Sequence, residues 1–145
     1  MNVATKTECR KSVASWREGI QVAGGMLVDL GVAEDRYVQA CIDSLEKSGP
    51  YIVLTPGVAL AHARAEEGAT GVGVTLLRLD EPVEFGHPTN DPVDLVFAFC
   101  TDEPDGHVPL LRKLAVSLAK GCAQELRSAS PADLDDALNE VVGNG

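Results

Sequence analysis

Positive charge is scarce in this chain. Twelve lysines and arginines stand against 22 aspartates and glutamates, a formal net charge of −10. A phosphate backbone needs cations opposite it, so this balance argues against a nucleic-acid partner, though not against a local basic spot. Long apolar runs are also missing. No stretch reaches the about 18 residues that a membrane span requires. The N-terminal stretch Met1-Asn2-Val3-Ala4-Thr5-Lys6 lacks the apolar core of a secretory signal, so a cytoplasmic location is the expectation. The four cysteines, Cys9, Cys41, Cys100 and Cys122, form no C-x-x-C pair, and their spacing fits neither a zinc finger nor a disulfide framework. Reduced, partly buried thiols are expected, since free cysteine packs as a small hydrophobe. Repeats, low-complexity tracts and linkers are absent too. With 145 residues, 45% of them hydrophobic, the chain fits one domain over 1–145 with a proper core.

What is present reads as alternating helices and short apolar strands. Residues 1–14 are weakly patterned and hold at most a short edge strand. Ser15-Trp16-Arg17-Glu18 reads as a capping box, in which the Ser15 hydroxyl accepts from the Glu18 amide and the Glu18 carboxylate reaches back. Trp16, Ile20, Ala23, Leu27 and Leu30 then form one helix face, stopped at Gly31. The internal Gly24-Gly25 pair costs helix stability, which predicts a close packing partner there. A second helix opens on Glu34 and Asp35, where the dipole favours acids, carries Tyr37, Cys41 and Leu45 at spacings of four, and ends at Gly49-Pro50. Tyr51 to Leu54 is read as a strand. So is Gly71 to Leu79, and Val93 to Cys100 reads as a central strand, apolar on both faces. Between the last two lies a proline-rich loop with a small strand or bulge at Phe85-Gly86-His87. Helices are predicted over residues 106–120 and from an N-cap at Ser130-Pro131. The order gives a mixed sheet with helices packed on it.

Only three histidines occur, at 62, 87 and 107. His62 stands in Pro56-Gly57-Val58-Ala59-Leu60-Ala61-His62-Ala63-Arg64, between an apolar run and a polar loop, where a rigid scaffold hands over to an exposed site. With an ordinary pKa near 6.5, a histidine is partly neutral at physiological pH and nucleophilic, hence suited to relay a phosphoryl group. The protein must add orientation and charge stabilisation. A backbone hydrogen bond would fix the ring tautomer. Arg64, or a helix N-terminus, would hold phosphoryl oxygens. His107 sits where the helix after the central strand begins, so the dipole would keep it neutral and able to donate. His87 is either a turn residue or part of the site's rim. A metal centre built from the three histidines with Asp91, Asp94 or Asp102 is a different reading, and it lacks an H-x-x-x-H or H-x-H pair to seed it. A pure interaction module is a third.

These blocks resemble the enzyme IIA component of the sugar phosphotransferase system, of the fructose–mannitol superfamily and within it the ascorbate type. The resemblance runs from about Trp16 to Val142. It is carried by Gly49-Pro50-Tyr51-Ile52-Val53, by Pro56 to Arg64 with Glu66-Glu67-Gly68, by Phe85-Gly86-His87 leading into Asn90-Asp91-Pro92-Val93-Asp94-Leu95, and by His107 before its apolar helix. It implies an α/β fold, a mixed sheet sandwiched by helices. It implies that His62 accepts a phosphoryl group from the phosphocarrier HPr and donates it to a cysteine of a IIB component, with His107 assisting and a membrane IIC transporter beyond. It implies no metal or cofactor, and a homodimer is left open. A regulatory IIA-like phosphoprotein is the alternative within the family; a metal-dependent hydrolase is the alternative outside it. The pattern departs in one place: the family's usual proline before the active histidine is Ala61 here. Alanine leaves φ unfixed, so a looser loop is expected, by about 1 kcal/mol of unfolded-chain entropy. Mannitol-type members also carry an arginine in the segment that reads Leu45-Glu46-Lys47 here. Its absence points to the ascorbate-like branch, with Arg64 as the phosphate partner.

Overall fold

The computed structural model describes residues 3–103 and 107–143, and the side chains of residues 107 and 108 fall outside it. Its elements run β1 (Ala4–Arg10), α1 (Trp16–Asp29), α2 (Asp35–Ser48), β2 (Val53–Thr55), β3 (Val58–Ala61), a 3-10 turn (Ala65–Glu67), β4 (Gly73–Val83), β5 (Val93–Cys100), α3 (His107–Ala119), α4 (Cys122–Ser128) and α5 (Leu134–Val142). The strands form one sheet in the order β1-β4-β5-β3-β2. β1 runs parallel to β4 and β3 parallel to β5, while β4–β5 and β2–β3 are antiparallel. The sheet is therefore mixed, as expected, and helices cover both faces.

Alternation along the strands splits the apolar side chains into two cores. Ala59, Ala61, Leu77 and Val96 face α1 and α2, meeting Ile20, Leu27, Tyr37 and Ile42. Val58, Leu60, Leu76, Phe97 and Phe99 face α3, α4 and α5, meeting Leu114, Leu126 and Leu138. β5 is buried on both sides from Leu95 to Cys100, which is why it reads as a continuous apolar run. At the α1 cap, Ser15 Oγ accepts from the Glu18 amide at 3.3 Å, and the Glu18 carboxylate accepts from the Ala14 amide at 2.9 Å, one residue upstream of the cap. A Cβ on Gly24 would stand 3.0 Å from Val38 Cγ1, the close approach of α2 that the glycine makes room for.

Several boundaries differ from expectation. β1 is a full strand of seven residues on the sheet edge. β3 is a strand where only a turn and a loop were expected. It is four small or aliphatic residues, all buried, and Pro56-Gly57 is the hairpin turn that precedes it. β4 continues past Leu79 to Val83. Phe85-Gly86-His87 is neither strand nor bulge. Its three backbone amides all donate to the Asp91 carboxylate, at 2.7 to 3.1 Å, and that side chain closes the loop. α4 was not expected. α5 opens at Leu134 because the Ser130 hydroxyl is used to close the preceding turn, accepting from the Asp133 amide at 3.2 Å. Ala61 lies within β3, paired with Ala98 and 1% exposed, so strand pairing restrains it where a proline ring would otherwise have done so.

Candidate functional site

His62 is the first residue beyond β3, and the strand's alternation places it on the Leu60 face. Its Nδ1 lies 2.9 Å from the Leu60 carbonyl oxygen. A carbonyl only accepts, so Nδ1 carries the proton and Nε2 carries the lone pair. The ring stacks on Phe99, with centroids 4.8 Å apart and planes 20° from parallel. Tyr51 meets it edge-on at 6.2 Å. These contacts fix the imidazole in one tautomer and one plane.

The loop that follows is held from α2. The Tyr37 hydroxyl donates to the Phe99 carbonyl at 2.7 Å, accepts from the Ala63 amide at 3.0 Å and lies 3.2 Å from the Ala63 carbonyl. Arg36 Nη1 donates to the Glu66 carbonyl at 2.9 Å, and the Glu34 amide donates to that of Gly68 at 2.8 Å. Burial pushes the Tyr37 phenol well above its ordinary pKa, and the nearby Cys41 adds to the shift, so the hydroxyl keeps its proton. Behind it, burial pushes the Cys41 and Cys100 thiols up to about 12.

His62 opens onto a groove of about 720 Å³ along α2. Arg36, Lys47 and Arg64 line it, against Asp43 and Glu67. Three cations thus face two carboxylates in the lining, while Arg36 also pairs with Glu34 at 3.2 Å outside it. Arg64 is 80% exposed, its Nη1 3.9 Å from Glu66 Oε1, and thus able to swing toward an incoming anion. His107 opens α3, whose Leu110 and Leu114 share a core with Leu60 and Phe99. α3 therefore covers the sheet face of Phe99, the ring on which His62 stacks. The supporting role expected of the His107 side chain lies outside the described residues.

Of the other polar residues singled out in the sequence, His87, Asp91 and Asp94 are committed elsewhere. His87 Nδ1 accepts from the Thr89 and Asn90 amides at 3.1 and 3.0 Å, and His87 does not line the groove, so the turn reading fits it and the rim reading does not. Asp91 is saturated by loop amides. Asp94 pairs with Arg127 through two bonds of 2.8 Å. Among the described residues, no three histidine, cysteine or acidic side chains lie close enough together to hold a metal ion. Sequence reading missed Arg36, Lys47, Tyr51, Phe99 and above all Tyr37. A signal for Tyr37 existed: it occupies a core position of α2, and a buried phenol must find a hydrogen-bond partner.

Comparison with known proteins gives four matches. A family model described as phosphoenolpyruvate-dependent sugar phosphotransferase system, EIIA 2, matches residues 4–140. The ascorbate-specific PTS system EIIA component of Escherichia coli (strain K12) is 40% identical over 93 residues, 64% of this chain and 60% of that protein, so the match spans less than two thirds of the relative's length. Among solved structures, the mannitol-specific cryptic phosphotransferase enzyme IIA of Escherichia coli matches with a TM-score of 0.76 at 29% identity, over 96% of this chain and 92% of its own. A chain from the complex of enzyme IIAMTL and phosphorylated enzyme IIBMTL of Escherichia coli matches with a TM-score of 0.77, over 97% and 99%; at 24% identity this is a likeness of fold.

Proposed function

The chain belongs to the EIIA 2 family of the phosphoenolpyruvate-dependent sugar phosphotransferase system, and from that premise we propose that it relays a phosphoryl group through Nε2 of His62, from phospho-HPr to a cysteine of a IIB component. The observation that carries the proposal is the bond between His62 Nδ1 and the Leu60 carbonyl, in a residue that lines an open, cation-flanked groove. It leaves the lone pair on Nε2, which supports that atom as the nucleophile.

In the first step the Nε2 lone pair attacks phosphorus. The bond from phosphorus to its donor breaks, and the donor keeps that electron pair. The phosphorylated ring carries its remaining proton on Nδ1, still directed at Leu60. In the second step a cysteine thiolate attacks phosphorus, and the P–N electron pair returns to the imidazole. Phosphoryl transfer asks little covalent chemistry of the protein beyond positioning and charge compensation. In this reading Arg64 is the cation for the phosphoryl oxygens, and His107 at the start of α3 is the assisting donor. The groove beside α2 is where the partners dock. Identity with ascorbate-specific components supports an ascorbate-type transport system over a purely regulatory role.

The test is incubation with enzyme I, HPr and phosphoenolpyruvate. Acid-labile, base-stable label is expected on the wild type and none on His62→Ala. Label that survives in His62→Ala overturns the assignment. His107→Ala should take label yet pass it poorly to IIB; transfer at the wild-type rate would remove its supporting role. Arg64→Ala should accept phosphate about tenfold more slowly, the worth of one charge-assisted contact.

A further inference from the structure

We propose that Tyr37 is the positioning residue of the His62 site: its buried hydroxyl ties the His62–Ala63 peptide to the end of β5 and so holds the imidazole in the Nδ1–H form. The proposal rests on the reading of His62 as the phosphoryl acceptor.

β3 and β5 run side by side, and their ladder ends at the pair Ala61–Ala98. The two groups that matter for the ring lie just past that end. One is the His62–Ala63 peptide. The other is Phe99, whose ring the imidazole stacks on. A single oxygen from a third element replaces the missing ladder. Tyr37 Oη gives its proton to the Phe99 carbonyl at 2.7 Å and takes one from the Ala63 amide at 3.0 Å. Tyr37 is itself buried, 1% exposed in the core between α2 and the sheet.

This geometry bears on reactivity through the tautomer. Histidine in water favours the Nε2–H form, which has no lone pair where the phosphoryl group must arrive. The Nδ1–H form is selected here by the Leu60 carbonyl, two residues back along the chain, in β3. That bond survives only while the backbone on both sides of His62 keeps its angles. β3 fixes the upstream side. Downstream, the orientation of the 62–63 peptide is set by the Tyr37 hydroxyl. The competent fraction of His62 therefore depends on an oxygen that never touches the phosphoryl group.

Tyr37→Phe removes that oxygen and keeps the ring. Three quantities decide the matter: the His62 tautomer ratio by ¹⁵N NMR of the imidazole, the single-turnover rate of phosphate acceptance from phospho-HPr, and the melting temperature. The expected result is a visible Nε2–H population and an acceptance rate about tenfold lower at saturating phospho-HPr, with the half-saturating concentration little changed. A lower melting temperature with wild-type tautomer ratio and rate would make Tyr37 merely structural and overturn the proposal. Should Tyr37→Phe fail to fold, hydrogen exchange in the wild type decides: the Ala63 amide must be protected well beyond the neighbouring loop amides, and exchange at their rate overturns the clamp. If wild-type protein takes no label on His62, the relay reading fails, while the tautomer ratio in Tyr37→Phe still decides the clamp.

Discussion

Gly57 has φ +79, and a Cβ placed on it would stand 2.5 Å from Arg127 Nη2 and 2.9 Å from Asp94 Oδ1. The two atoms bond each other in one bidentate pair, so a Cβ would have to displace that pair, and φ +79 strains any L side chain there. Gly57→Ala is expected to lower stability by about 2 kcal/mol or more, read from urea unfolding. The thiols give a second prediction at this scale. Cys9 is exposed, whereas Cys41, Cys100 and Cys122 are buried. Iodoacetamide at pH 8 should modify Cys9 alone in the native protein and all four cysteines after unfolding, counted by mass spectrometry. Burial raises the Cys41 and Cys100 thiols from an ordinary 9.0 to about 12. Below pH 9 folded and unfolded chains both keep these protons. Above it the unfolded chain loses them first, so stability should fall as pH rises from 9 toward 12. Urea midpoints across that range that stay flat in the wild type would contradict this. Residue by residue, His62 and Arg64 stood out as candidates because a rare histidine and a cation stand close together at the end of an apolar run, and the structure places both on one groove. Tyr37 and Lys47 were not. Their part depends on which helix face meets the end of β3, and helical spacing alone says only that a face exists.

The hairpin of β2 and β3 shows how an element is set by residues far from it in sequence. Its turn is closed from the proline-rich loop: the Gly57 amide donates to the Asn90 carbonyl at 2.9 Å, and the Asn90 side chain donates to the Val53 carbonyl at 3.0 Å. From the other side Arg127 of α4 reaches the Pro56 carbonyl while pairing with Asp94. The resemblance had singled out Asn90, Asp91 and Asp94, and the structure accounts for them as scaffold beneath the strand that carries His62. Arg127→Met keeps the side chain's length and strands the Asp94 carboxylate. It should cost roughly 2 kcal/mol in thermal or urea unfolding, because a half-buried charge loses both of its bonds. The elements missed in the sequence were the short ones. β3 is four residues with two alanines, poor in β-propensity and too brief to alternate visibly; pairing with β5 makes it a strand. α4 spans seven residues after a left-handed Gly121, under two turns of any periodic signal.

At the scale of the whole molecule, one sheet serves both cores, so neither layer has a complete apolar face without the other. The single-domain reading predicts one cooperative transition. Trp16 fluorescence, which reports the α1 side, and far-UV circular dichroism should give coincident urea curves, and separated midpoints would argue for two units. The layered architecture was legible because long amphipathic helices and a doubly apolar β5 demand it. The site's electrostatics were less so, since a net charge summed over the chain hides a groove with three cations. One consequence concerns heredity. The acceptor that sets the tautomer of His62 is the main-chain oxygen of residue 60, and every amino acid supplies one. No codon change at that position can delete it. A saturation screen would thus rank residue 60 by packing alone and pass over its chemical part. Variation reaches the proton on Nδ1 through the path of the chain at β3 and through the rings of Phe99 and Tyr51 that meet the imidazole. The protonation pattern of the site is in this sense inherited with the fold.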